Sequence, residues 1–126
     1  MHLIIGGAWQ GKLAFAKEEF GLAEEGVTRC RSDNTPDFSR PCVYGLEQFT
    51  LFCARQNKSA RHFFAERQAL WKNHILICTD LSSGVVPVDP LMRLWREETG
   101  QLLNYLAREA ETVTRLFCGL PQRLKP

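Results

Sequence analysis

The sequence predicts an α/β fold in which a mostly parallel sheet carries helices on both faces. Three short apolar runs, residues 2–5, 75–78 and 113–118, have the length and the abrupt glycine or polar endings of buried strands. Helical spacing fills much of the chain between them, and strands alternating with helices pack as a parallel sheet between helical layers.

Residues 2–5 form the first strand, stopped by the paired glycines Gly6 and Gly7. Residues 11–20 read as a helix with Ala14, Phe15 and Ala16 turned inward and Gly21 as its C-terminal stop. A second strand falls at 27–30. The stretch 31–42 is polar and holds prolines, so it reads as loop. The spacing of Leu46, Phe49, Phe52 and Cys53 predicts a helix over 46–54. Another is expected over 59–71, with Ser59 as N-cap and Phe63, Phe64, Ala65 and Leu70 available to the core. Residues 75–78 are the clearest buried strand, ending at Thr79 and Asp80, and 81–88 is a loop with glycine and proline.

Asp89 followed by Pro90 is a strong helix start, a capping carboxylate before a proline at the first helical position. That helix is expected to run to Glu109, with Leu91, Leu94, Trp95, Leu102, Leu106 and Ala110 on one apolar face. Gly100 lies inside it at about 1 kcal/mol relative to alanine, which suggests close backbone packing there. Residues 113–118 read as the last strand, closed by Gly119, Leu120 and Pro121.

At 126 residues the chain suits a single domain, 1–126, with a core of its own. A formal charge of +2 gives no electrostatic reason to expect a nucleic acid or an anionic membrane as partner. No apolar run approaches the ~20 residues that span a bilayer. The start has no basic lead-in and its apolar stretch is too short for a signal peptide, so a cytoplasmic protein is expected. The cysteines Cys30, Cys42, Cys53, Cys78 and Cys118 form no CxxC pair. Cys78 and Cys118 lie in apolar runs, as small buried hydrophobes in a reducing compartment do.

The segment that carries chemistry is Gly6, Gly7, Ala8, Trp9, Gln10, Gly11 and Lys12, a G-x-x-x-x-G-K pattern that leaves a strand and opens a helix. Glycines let a backbone wrap around phosphate with its N–H groups inward, and the helix start adds partial positive charge. Lys12 reaches the β- and γ-phosphates as a point charge. The residue after the lysine is Leu13, where a Ser or Thr hydroxyl usually ligates Mg²⁺, so magnesium must be held by other groups or held weakly. Trp9 either stacks on a base or bulky ligand or packs on a neighbouring helix. Gln10 either bonds phosphate or faces solvent.

Read together, the two ends of the chain are more specific. IIGGAWQGKLAFAKE resembles the GGARSGKSxxAE opening of the adenosylcobinamide kinase/adenosylcobinamide-phosphate guanylyltransferase family of cobalamin biosynthesis. The run ICTDLSSGVVP at 77–87 is similar to its VSNEVGxGIVP, and RLWREETG at 93–100 to its RxFRDxxG. Leu106 and Ala107, followed by Cys118, Gly119, Leu120, Pro121, Leu124 and Lys125, match its LA and GLPxxLK ending. The resemblance covers 1–20 and 75–125. It implies a three-layer, RecA-like P-loop fold that binds ATP or GTP, phosphorylates the hydroxyl of adenosylcobinamide, then transfers GMP through a guanylylated histidine. Residues 6–13, Leu13 included, become the nucleotide loop. Asp80, where the family has glutamate at a strand end, becomes the carboxylate for a metal or a substrate hydroxyl, and Arg93 and Arg96 match two family arginines near transferred phosphate. Lys12 and Asp80 are the catalytic candidates. A corrinoid and a homo-oligomer are the implied partners.

The departures lie in the loop and the middle. Trp9, Gln10 and Leu13 replace Arg, Ser and Ser, and the chain has no RIxxHR motif and no clear LLDCLTxW strand with its acidic end. His62 is the interior candidate for guanylyl acceptor, on a helix with a different lead-in; His2 and His74 flank strands as structural or solvated groups. Three readings follow: a shortened kinase-like member; a non-catalytic descendant that binds nucleotide, a corrinoid or a partner protein and regulates; and a P-loop kinase for a different small hydroxyl substrate.

Overall fold

A computed structural model describes residues 1–81 and 87–126. In chain order the elements are β1 (His2–Gly6), α1 (Lys12–Phe20), a 3₁₀ turn (Glu24–Gly26), β2 (Val27–Arg29), β3 (Cys42–Tyr44) and α2 (Leu46–Arg55). They continue as α3 (Ala60–Ala65), α4 (Gln68–Trp71), β4 (Ile75–Thr79), α5 (Pro90–Glu109), β5 (Thr112–Phe117) and β6 (Leu120–Lys125). Six strands form one sheet in the order β2-β3-β4-β1-β5-β6. The pairs from β2 to β5 are all parallel, and β6 turns back antiparallel on β5. The expected α/β class and mostly parallel sheet are borne out.

Side chains alternate across the sheet and so build two cores. Leu3, Val43, Leu76, Cys78 and Val113 face a large cluster with Leu46 and Phe49 of α2, Phe64 of α3, Trp71 of α4 and Leu102 and Leu106 of α5. Ile4, Val27, Cys42, Ile75, Ile77 and Leu116 face a smaller cluster completed by Ala16 of α1. Helices therefore cover both faces unequally, four against one.

Several expectations need correction. Residues 31–42 are not loop throughout: Cys42–Tyr44 is β3, an interior strand between β2 and β4. The run 59–71 is not one helix. Ser59 does cap α3, accepting from the His62 N–H at 3.1 Å, but the helix ends at Ala65 and α4 begins at Gln68. Ala65 and Leu70 are exposed, and Trp71 takes the core position instead, its indole N–H donating to the Phe64 carbonyl at 2.9 Å. Ala14 is exposed rather than inward. A Cβ on Gly100 would meet open space, so no close packing explains that glycine. Residues 113–118 are not the last strand, because β6 follows. The expected 81–88 loop lies largely outside the described residues, which resume at Pro87. Asp89 caps α5 as expected, accepting from the Leu91 and Met92 N–H groups at 2.8 and 3.3 Å, with Pro90 in the first turn.

All five thiols are free. Burial pushes Cys30 and Cys53 up to about 12 and Cys42 to about 11, and Cys78 well above the usual range. Cys118 is exposed at the turn into β6, not buried as expected, and has a positive φ of 51°. Because the thiolate is the nucleophile, a thiol-specific reagent at pH 8 is expected to label one cysteine rapidly in the folded protein, Cys118, and the others only on unfolding. Peptide mapping of the labelled protein checks this.

Candidate functional site

Parallel pairing sends the carboxyl ends of β1 to β5 to one edge of the sheet, where ligands of such sheets bind. β1 lies at the centre, between β4 and β5. Gly6 pairs with Thr79 on one side and Leu116 on the other. A Cβ there would sit 2.7 Å from the Leu116 carbonyl oxygen, so only glycine lets β1 end so close to β5. The chain then turns through residues 7–11 into α1, and Gly11 at the N-cap has a φ of 80°, which glycine adopts at little cost.

Among the described residues no side chain caps α1, so its first-turn N–H groups meet no side-chain acceptor there. Lys12 lies in that turn, 5% exposed, and its ammonium donates to the Gly7 carbonyl at 2.7 Å. Among the described residues this is one polar contact for three donors. Burial lowers the Lys12 pKa from 10.5, and the Glu47 carboxylate pulls it back up.

The Gln10 amide oxygen turns from solvent to accept the Cys118 N–H and ties the loop to the β5–β6 turn. Trp9 does not pack on a helix. It is 99% exposed and has a φ of 63°, an outlier for so bulky a residue. Leu13 is half-buried against the core cluster that holds Ile4 and Ala16. Ala8 is exposed and Gly7 half-buried.

Asp80 joins this edge: its N–H donates to the Gly6 carbonyl at 2.9 Å, and the residue is half-buried. Asp80 and Gly6, where the loop to Lys12 begins, thus meet at adjoining strand ends. Arg93, in the first turn of α5, is exposed and donates to the Val88 carbonyl at 3.3 Å, and Arg96 is half-buried one turn further on. His62 is exposed on α3, its imidazole against the Glu66 carboxylate. His2 and His74 are structural, bonded to the Thr112 hydroxyl and the Phe38 carbonyl at 2.7 and 2.8 Å.

One residue at this edge escaped the sequence reading. Glu47 stands three residues past β3, in the first turn of α2, and its carboxylate accepts the Thr79 N–H at 2.9 Å. Its field is felt at Lys12. Its backbone carbonyl accepts the Trp95 indole N–H at 2.8 Å, and the Thr50 and Thr99 hydroxyls bond at 2.6 Å, so a polar seam fastens the start of α2 to α5. The signal was present in Cys42, Val43, Tyr44 and the glycine at 45, but three residues behind a proline make a weak strand pattern. This strand, with an acid just beyond it, stands where the sequence comparison found none.

Among the described residues no three His, Cys, Asp or Glu side chains gather as a metal site, and no helix is long and apolar enough to cross a membrane.

Because burial lowers the Lys12 pKa, the unfolded chain binds the extra proton in the window below 10.5, and stability gains from this residue as pH rises through it. Lys12→Met is therefore expected to raise the melting temperature near neutral pH, with the advantage shrinking as pH approaches 10.5. Thermal unfolding of both proteins across pH 7–10.5 checks the sign.

Residues 42–124 match the family model for cobinamide kinase / cobinamide phosphate guanyltransferase. The match opens at the first residue of β3, spans Glu47, Asp80, Arg93 and Arg96, and leaves the loop at 6–12 outside it. No individual curated protein matches the chain. On the family match, about two thirds of its length, the chain belongs to the cobinamide kinase / cobinamide phosphate guanyltransferase family, with a role related to those activities in cobalamin biosynthesis.

Proposed function

We propose that this chain is a single P-loop domain of RecA-like type that binds ATP or GTP on residues 6–13 and phosphorylates a cobinamide-type hydroxyl. The observation that carries the reading is Lys12, an ammonium buried at the head of α1 whose one hydrogen bond among the described residues goes to the Gly7 carbonyl. An entering phosphate replaces that single contact with charge-assisted ones, while the first-turn amides of α1 receive the remaining oxygens. Phosphoryl transfer relies on positioning and electrostatics, so a small set of groups suffices. Lys12 draws the terminal phosphate, and Asp80 or Glu47 accepts the proton of the attacking hydroxyl. Arg93 and Arg96 serve as cations near the transferred charge.

Magnesium fits this edge only partly. Leu13 offers no oxygen, but Glu47 and Asp80 supply two carboxylates at neighbouring strand ends, and Mg²⁺ commonly takes one or two carboxylates plus substrate phosphates. It would supply charge neutralisation between the phosphates. Guanylyl transfer is not part of the proposal, because His62 sits on α3 with its imidazole against the Glu66 carboxylate.

A second reading, a non-catalytic descendant that binds nucleotide and regulates, draws on one observation: Leu13 packs into the core where the metal-ligating hydroxyl would stand. Calorimetric titration with ATP and GTP, with and without Mg²⁺, separates the two. The kinase predicts saturable, magnesium-strengthened binding, weakened about 10–100-fold in Lys12→Ala as a charged hydrogen bond is lost, and phosphorylated cobinamide as product. Binding without turnover selects the second reading, and no binding removes both. Glu47→Gln keeps the bond to Thr79 and removes the charge. Turnover is expected to fall about 100-fold with little change in thermal stability, and unchanged turnover would exclude Glu47.

A further inference from the structure

A second concave site lies away from the phosphate loop, on the helical layer over the larger core. A pocket of about 420 Å³ opens there between α2, α3 and the loop that joins β2 to β3. Benzene is held in a cavity of about 150 Å³, and small-molecule sites run from roughly 300 to 1,000 Å³. The space therefore suits one or two rings with a short polar arm. We infer that this pocket binds a small aromatic carboxylate, its ring among Phe49, Phe52 and Phe63 and its carboxylate on Lys58. The inference stands apart from the phosphate reading, since no residue that lines the pocket belongs to the loop at 6–13 or to the strand end at Asp80.

The place of the ring follows from the walls. Phe49 and Cys53 are buried on α2, Phe52 is half-buried beside them, and Phe63 closes the pocket from α3. Phe49 and Phe63 meet with ring centroids 4.9 Å apart and a tilt of 56°, and the Phe63 ring stands 5.8 Å from Phe64 in the core. These rings are fixed by their own packing, and a planar ligand extends the same offset and edge-on contacts. Burial pushes the Cys53 thiol up to about 12, so that wall carries no charge at neutral pH. The loop is held as well: Phe38 packs edge-on against Phe64 at 5.7 Å, and Thr35 of the same loop lines the rim.

The place of the carboxylate follows from the charges at the rim, where Lys58 and Arg67 are the cations and Glu66 is the acid. The Arg67 guanidinium stands 3.9 Å from the Glu66 carboxylate and lies over the Phe63 ring at 3.9 Å, so those two charges offset each other. The His62 imidazole rests on the same carboxylate. Glu98, whose field also reaches Cys53, is engaged by the Ala60 N–H at 3.0 Å. Among the described residues no carboxylate pairs with Lys58, although its charge is felt at Cys53. An aromatic pocket with one unmatched ammonium at its mouth fits an anion that carries a ring, and a neutral ring or a bare anion satisfies only half of it.

The test follows amide ¹H–¹⁵N shifts of the full chain as cinnamate, its neutral amide cinnamamide, and acetate are added near neutral pH, to the wild type and to Lys58→Met. Lys58 is exposed, so the variant keeps the fold and most of the side-chain stem while losing the charge. Cinnamate is expected to bind saturably and at least about tenfold more tightly than cinnamamide, moving the Phe49, Phe52, Cys53 and Phe63 amides, while acetate moves none of them. Lys58→Met is expected to bind both aromatic ligands as the wild type binds cinnamamide, which also shows that its pocket is intact. The inference is overturned by any of four results: no saturable shift with cinnamate, equal affinity for acid and amide in the wild type, a preference kept in Lys58→Met, or shifts confined to residues 6–13. Each of them leaves the phosphate reading standing.

Discussion

The site depends on a single close approach, that of Gly6 to the Leu116 carbonyl. β1 is the central strand and must end flush between β4 and β5, where a side chain at position 6 would come within 2.7 Å of backbone. The chain cannot continue as sheet beyond that point, so it turns, and Gly11 supplies the positive φ that lets it enter α1. The phosphate-loop groups are placed by that turn. Lys12 becomes buried, the first amides of α1 face the loop, and the Asp80 N–H closes onto the Gly6 carbonyl.

The second support is less obvious and comes from the opposite core. β3 is three residues long, yet it sits in the sheet interior and carries Glu47 just past its end. The polar seam of Glu47, Thr50, Trp95 and Thr99 buries hydrogen-bonding groups only because each finds a partner, which fixes α2 against α5 rather than merely packing it. The family match begins at this strand, so the better-matched part of the chain holds the carboxylates, while the loop belongs to the part outside it.

Much of the fold was legible because its longer elements carry strong signals. β4 is an unbroken apolar run, and α5 announces itself with Asp89 and Pro90 and ends at Glu109 as its spacing predicts. What was missed is short or decided at long range. β3 and β6 have little periodicity of their own, and both become strands by pairing with partners far away in sequence or across a turn. The break between α3 and α4 leaves the Trp71 indole N–H on the Phe64 carbonyl, a contact the helical spacing of 59–71 did not reveal. At the site, the loop and Asp80 were readable from strand ends. Glu47 was hidden behind its unrecognised strand, and the exposure of Trp9 is a tertiary fact that composition does not carry.

The central claim is that phosphate seats on the backbone of residues 7–12 and takes Lys12 from the Gly7 carbonyl. An amide ¹H–¹⁵N correlation spectrum recorded while GTP is added tests it most directly. Seating on the loop moves the Gly7, Gly11 and Lys12 amides first and furthest, together with Asp80, whose N–H rests on Gly6. Shifts confined to other parts of the sheet edge, with those four amides unmoved, would contradict it.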